Sequence, residues 1–432
     1  LKVTASSLLL WLLALAFVNH ASAELTIRIT QGIEGALPIA VVPLANEGGV
    51  EPPEDIAAVI RENLAGSGRF RSVPVASMPE QPSNPGDVRY PLWRSAGADN
   101  LVLGTVSRTA DGGYQVQVQL LDAYQGTQIE VYAYKVAADG LRRLAHFLSD
   151  RIYERLTGEK GAFNTRIAYI TTTGSGESKR YSLMVADADG YNPQSVLRSR
   201  DPLLSPSWSP DGQSLAYVSF EAGQPQIFVQ NVFTGERKIV SSFKGINGAP
   251  SWSPDGRQLA LVLSRDGNPE IYAYNLATEN LLRVTRNTAI DTEPVWADDG
   301  RTIVFTSDRG GGPQLYEIAV GGGSAQRLTF EGSYNARPSI SPDGRKIAMV
   351  HRTNDDYRIA VLDRDTGLLQ VLTDGALDES PSFAPNGSTV LYASSAGPRE
   401  VLKTVSVDGR IKKTLQLREG DVREPAWSPY TG

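Results

Sequence analysis

Four Asx residues hold one fixed place in a recurring pattern. Asn247, Asp291, Asn335 and Asp378 each stand three positions before a proline. Short polar runs surround them: Ile246–Asn247–Gly248–Ala249, Asp291–Thr292–Glu293, Asn335 with Arg337, Asp378 with Glu379, and Arg423 in a fifth run. Carboxylates gathered on one rim can hold a hard cation such as calcium, with Asp291 and Asp378 as the candidate ligands. The same rim could instead dock a partner protein. Asx side chains also cap loops by bonding to nearby backbone, and spacing alone does not separate these readings.

Catalytic groups are scarce. The three histidines are His20, His146 and His351, and there is no cysteine. That excludes disulfides, thiol catalysis and Cys-ligated metals. No G-x-S-x-G elbow occurs. The GSG at 174–176 is not followed by a helix-forming run, so it is no phosphate cradle. His146 falls on an amphipathic helix, where a surface or interdomain role is expected. No catalytic residue is assigned, and no cofactor is expected apart from a channel calcium. An exported, metal-dependent propeller enzyme of lactonase or lyase type is the alternative. A carbohydrate-binding propeller is a third, and it would need exposed aromatics at the mouth. The formal charge of −6, with no basic block, argues against a nucleic-acid partner.

The elements that carry the Asx residues repeat. Prolines 206, 250, 294, 338, 381 and 425 open near-copies of PSWSPDG, spaced 43 or 44 apart. A period of this length suits a four-stranded propeller blade. One copy reads as a strand at 250–253, a PDG turn, and strands at 257–264, 269–276 and 281–286, with alternating apolar positions. Trp208, Trp252, Trp296, Ile340, Phe383 and Trp427 should then pack between blades. The last copy stops after one strand. Residues 165–200 supply the three missing strands, which predicts six blades with one shared between the ends of the domain.

Residues 36–160 carry no repeat. They read as a strand at 37–44, a helix at 52–68, a strand at 70–75, a three-stranded meander at 102–136 and a helix at 139–158. The fold class expected is an α/β N-terminal domain followed by an all-β, six-bladed propeller at 161–432. Upstream, Lys2, the apolar run at 8–18 and ASA at 21–23 have the form of a secretory signal peptide over 1–23. The mature chain is expected to begin at Glu24 and to be exported, with no transmembrane segment after cleavage.

The run LRRLAHFLSDRIYERLTGEKGAFNTRIAY (141–169), GADNLVLGTV (97–106) and the six blade motifs together resemble the TolB family of the Tol–Pal system of Gram-negative bacteria. The resemblance implies a non-catalytic periplasmic scaffold, active as a monomer. It would link TolA of the inner membrane to the outer-membrane lipoprotein Pal, serving envelope integrity, cell division and the uptake of colicin- or pyocin-type bacteriocins. It places Pal contacts on 246–250 and 291–294, with Ile246 where relatives can carry histidine. It places TolA binding on the segment 24–35, with Glu24, Leu25, Thr26, Ile27, Arg28 and Ile29 alternating like a strand that could join a partner's sheet.

Overall fold

The computed structural model describes residues 35–49, 51–397, 399–415, 417 and 420–430, all within the unit Ile33–Gly432. The expected signal peptide and the TolA-binding residues Glu24–Ile29 lie outside the described residues. Among the described residues no helix is long and apolar enough to cross a membrane.

The N-terminal domain is a mixed sheet covered on both faces. Strand β1 (Leu37–Val41) leads to the short β2 (Ala45–Asn46), then to helix α1 (Ile56–Gly66) and β3 (Phe70–Ser72). Helix α2 (Tyr90–Ser95) precedes the meander β4 (Asn100–Arg108), β5 (Tyr114–Asp122) and β6 (Thr127–Val136), and α3 (Leu141–Thr157) closes the domain. The strand order is β3-β1-β4-β5-β6. Strand β1 pairs in parallel with β3 and β4, and the meander is antiparallel. Helices α1 and α3 bury their stripes, including Ile60, Leu64, Leu148 and Ile152, against Ile39, Val41 and Val118 of the sheet. The Asp55 carboxylate caps α1 by accepting the Ala58 N–H at 2.9 Å. Gly158, at φ 77°, ends α3 in the left-handed conformation.

Two local readings change. The strand expected over 70–75 stops at Ser72, because Pro74 has no N–H for a ladder, and a 3-10 turn follows at Val75–Ser77. Helix α2 was not anticipated. At six residues, with Pro91 in its first turn, it is too short to show a helical period, yet it buries Trp93 on the sheet face opposite α1 and α3.

The propeller has six four-stranded sheets. Strands β7 (Arg166–Thr173), β8 (Arg180–Asp187) and β9 (Gln194–Ser199) are completed by Asp421–Trp427, which pairs antiparallel with β7 from Asp421↔Thr172 to Trp427↔Ile167. That closure is the one expected from the truncated last repeat. The residues at the repeat's fixed aromatic offset also pack between blades. The Trp252 Nε1–H donates to Ser207 O and that of Trp208 to Ala426 O, each at 3.1 Å, so each indole ties its blade to the preceding one.

The domains meet along α3. Arg142 on α3 pairs with Glu54 at 3.0 Å and with Asp189 of the propeller at 2.5 Å, and its guanidinium lies 3.5 Å from the centre of the Tyr191 ring. His146 is buried here, with Nε2 at 3.4 Å from Asp189 and Nδ1 at 2.9 Å from the Asn63 amide. Its role is therefore interdomain. Burial alone would raise the Asp189 pKa, but His146 and Arg142 hold it well below the usual carboxylate range.

Candidate docking site at the channel mouth

The innermost strands start before their prolines, three residues earlier in five blades and four in the last: Leu203–Trp208, Asn247–Trp252, Asp291–Trp296, Asn335–Ile340, Asp378–Phe383 and Asp421–Trp427. The Asx residues are thus the first residues of strands, not of open loops. Their side chains turn into the blades. Asn247, Asp291, Asn335 and Asp378 are all buried, which corrects the expectation of an acidic ring facing the channel.

What they do instead is hold structure. Asn247 Oδ1 accepts from Ser241 Oγ at 2.6 Å and from the Phe243 N–H at 2.9 Å, while Nδ2 donates to the Phe243 and Gly245 carbonyls. Asn335 Nδ2 donates to Gln314 Oε1 and the Glu331 carbonyl, and Oδ1 meets His351 Nδ1 at 2.8 Å. Both oxygens of Asp291 accept from Arg309 Nη2, at 2.7 and 2.9 Å. Burial still pushes the Asp291 pKa up, against the bonds from Ser307 and Arg309. Neither oxygen of Asp378 has a hydrogen-bond partner among the described residues. A channel calcium would not find these two carboxylates, since Arg309 occupies one and the blade encloses the other.

The channel is lined from a position that the sequence analysis did not single out as a set. Each innermost strand carries a register shift against the next strand, at Leu204/Ser207, Gly248/Ser251, Thr292/Val295, Ala336/Ser339, Glu379/Ser382 and Arg423/Ala426. In every bulge the residue before the proline has positive φ: Ser205 51°, Ala249 44°, Glu293 53°, Arg337 54°, Ser380 54° and Glu424 51°. None is glycine, so each bears a strain of about 1–2 kcal/mol. These six residues and their prolines line the channel, a cavity of about 430 Å3. The signal was present in the repeat, but the six types (Ser, Ala, Glu, Arg, Ser, Glu) share no chemistry and so do not announce a site.

Three of them form a charged bridge across the channel. Glu293 Oε2 accepts from Thr306 Oγ1 and from the Arg337 N–H, both at 2.8 Å, and Oε1 lies 3.2 Å from Arg337 Nε. Arg337 also donates to Ser380 Oγ, and its Nη2 is 4.0 Å from Glu424 Oε1. Glu424 accepts the Ser205 N–H, and burial pushes its pKa above the ordinary glutamate value despite Arg337. Of the expected site residues, Ala249, Glu293 and Arg337 therefore meet in the channel. Gly248, Thr292, Glu379 and Arg423 are half-buried on its rim, and Arg423 is paired with Glu400 at 2.7 Å.

Outside this polar centre runs an apolar rim. The residues just before three of the Asx positions, Ile246, Ile290 and Leu377, are 46, 50 and 40 % exposed. Only Ile246 had been singled out from sequence. Apolar groups around a satisfied charged centre are the surface expected of a protein-docking face. Among the described residues, no histidine lines the channel cavity.

Residues 25–129 match the family model described as the TolB amino-terminal domain, and residues 153–431 match that of the TolB beta propeller domain. The chain belongs to the TolB family. It is 62 % identical to the Tol-Pal system protein TolB of Thioalkalivibrio sulfidiphilus over 412 residues, 95 % of each chain. It is 61 % identical to that of Nitrosococcus oceani over 424 residues, 98 % of this chain and 97 % of the relative. The crystal structure of TolB from Acinetobacter baumannii superposes with a TM-score of 0.85 at 44 % identity, covering 91 % of this chain and 97 % of that one. Family membership makes the chain a Tol–Pal system protein, with an α/β domain and a six-bladed propeller in the family's order.

Proposed function

We propose that this chain is a non-catalytic scaffold of the periplasm that carries a Pal-type outer-membrane lipoprotein on the channel-mouth face and engages TolA through residues 24–35. Coupling the two membranes in this way serves outer-membrane integrity and invagination during division, and bacteriocins of the colicin or pyocin type would borrow the same face. The observation that carries the reading is the strained ring at the mouth. Six bulged, non-glycine residues present the Glu293–Arg337–Glu424 bridge inside the rim of Ile246, Ile290 and Leu377. Backbone strain repeated around a ring and directed at an opening is expected where a surface is pre-shaped for a partner.

Calorimetric titration of the chain from Glu24 onward with the periplasmic domain of Pal tests this. One-to-one binding is expected. Glu293→Lys should weaken it by about tenfold or more, because it sets two cations side by side at the centre of the face. Unchanged affinity in Glu293→Lys and in Thr292→Trp would remove the face from the interaction. Deleting residues 24–35 should abolish TolA binding and leave Pal binding in place.

A further inference from the structure

A second groove opens on one face of the closing blade, beside Leu417, about 850 Å3 in volume. Its floor includes Tyr169 and Met184, and its wall carries Arg180, Arg198 and Arg200, with no carboxylate among the described lining residues. In a chain of net charge −6, this is a local concentration of the opposite sign.

The arrangement of the three arginines is unfavourable without a counter-charge. Strands β8 and β9 pair with Tyr181↔Ser199 and Ser182↔Arg198. Directly opposed residues share a sheet face, so Arg198 lies on the same face as Ser182 and, two residues on, Arg180. Continuing the register by one residue brings Arg200 opposite Arg180. Like charges in cross-strand register destabilise a sheet. No ion pair forms to any of the three among the described residues, and only Arg180 has a bonding partner, through its Nη1 to the Glu177 and Lys179 carbonyls. All three are exposed.

We propose that this groove binds an acidic, extended segment of a partner protein. Carboxylates at every second residue would meet Arg198 and Arg200, whose own spacing is two. Strand β9 is the outer edge of its sheet, so its free backbone N–H and C=O groups can pair with such a segment. Hydroxyl groups of Thr171, Thr173 and Ser182 in the lining supply further donors to carboxylates. A glycan would want exposed aromatic faces, and the Tyr169 ring is buried. The inference goes beyond the channel-mouth reading and stands without it, since none of the three arginines lines the channel.

The test is fluorescence anisotropy of a labelled octapeptide of alternating Glu and Val, titrated with the chain from Glu24 onward, beside a Lys–Val counterpart. Saturable binding of the Glu–Val peptide alone, weakening as salt is raised, is expected. The double variant R198E/R200E should lose about tenfold or more in affinity, while R286E, at an exposed arginine in another blade, should lose none. R200E alone should also raise the thermal midpoint, because it replaces a like-charge pair by an opposite one; a misfolded variant would lower it. Equal losses in R198E/R200E and R286E would reduce the binding to diffuse attraction and overturn the proposal. So would no binding at low salt, or inorganic polyphosphate binding as tightly as the peptide. Each of these outcomes leaves Pal docking at Glu293 untouched.

Discussion

Asp291 and Asp378 occupy the same place in neighbouring-but-one blades, are equally buried, and should respond oppositely to the same change. Asp291→Asn removes the charge that faces Arg309. That guanidinium is only 18 % exposed, so it is left with an amide that offers one acceptor in place of two charged oxygens. Charge-assisted hydrogen bonds are worth about 1.5–3 kcal/mol each, and breaking a buried pair costs about 3–5 kcal/mol. Partial exposure of Arg309, the surviving amide contact and relief of the burial penalty that already pushes the Asp291 pKa up reduce the expected loss to about 1 kcal/mol. Asp378→Asn removes a charge that no described group hydrogen-bonds, and should stabilise the propeller by about 1 kcal/mol. Urea unfolding followed by tryptophan fluorescence reads the difference, since Trp208, Trp252, Trp296 and Trp427 all lie in the propeller. Neither variant should alter Pal affinity, because neither side chain reaches the channel. Equal losses in the two variants would refute the reasoning, as would a neutral Asp291→Asn.

Further expectations concern the strained ring and the domain junction. Ala249→Gly should stabilise the chain by about 0.5–1 kcal/mol in thermal unfolding, since relief of a left-handed alanine exceeds the entropy that glycine adds to the unfolded state. Asp150 accepts the Phe163 and Asn164 N–H groups at 2.8 and 3.0 Å, pinning the interdomain linker, and burial pushes its pKa up to about 6. With the folded value above the unfolded one, the folded chain takes up a proton as pH falls through 6. The group therefore costs nothing below about pH 4 and up to about 3 kcal/mol above pH 6. The stability difference between wild type and Asp150→Asn should follow that curve, and a flat difference would exclude it. Arg142→Ala should raise amide exchange along α3 without unfolding either domain, because it removes the pairs to Glu54 and Asp189 and the stack on Tyr191.

The blades were legible because their signals are local and repeated: a PDG turn, alternating apolar residues and a tryptophan at one offset. Closure was legible by subtraction, since three strands near residue 165 had no fourth. The Asx residues misled for a physical reason. Facing is set by where a strand begins, and the strand begins at Asp291, not at Pro294. The channel residues were hidden more deeply. The position before a proline ordinarily prefers extended backbone, so a left-handed residue there runs against the local preference and is imposed by the bulge. Helix α2 was too short to show a period, and the contact of His146 with Asp189 joins residues from two domains whose packing no local pattern encodes.

The shared blade also orders events in time. Arg166 donates its N–H to Ser428 Oγ across 262 positions, so strand β7 waits for its partner through almost the whole synthesis of the propeller. During that interval the inner edge of β7 is bare, and any passing strand can pair with it. Losing only the last dozen described residues would leave five finished blades and an open ring. The fate of the whole wheel thus rests with its one closing strand, Asp421–Trp427.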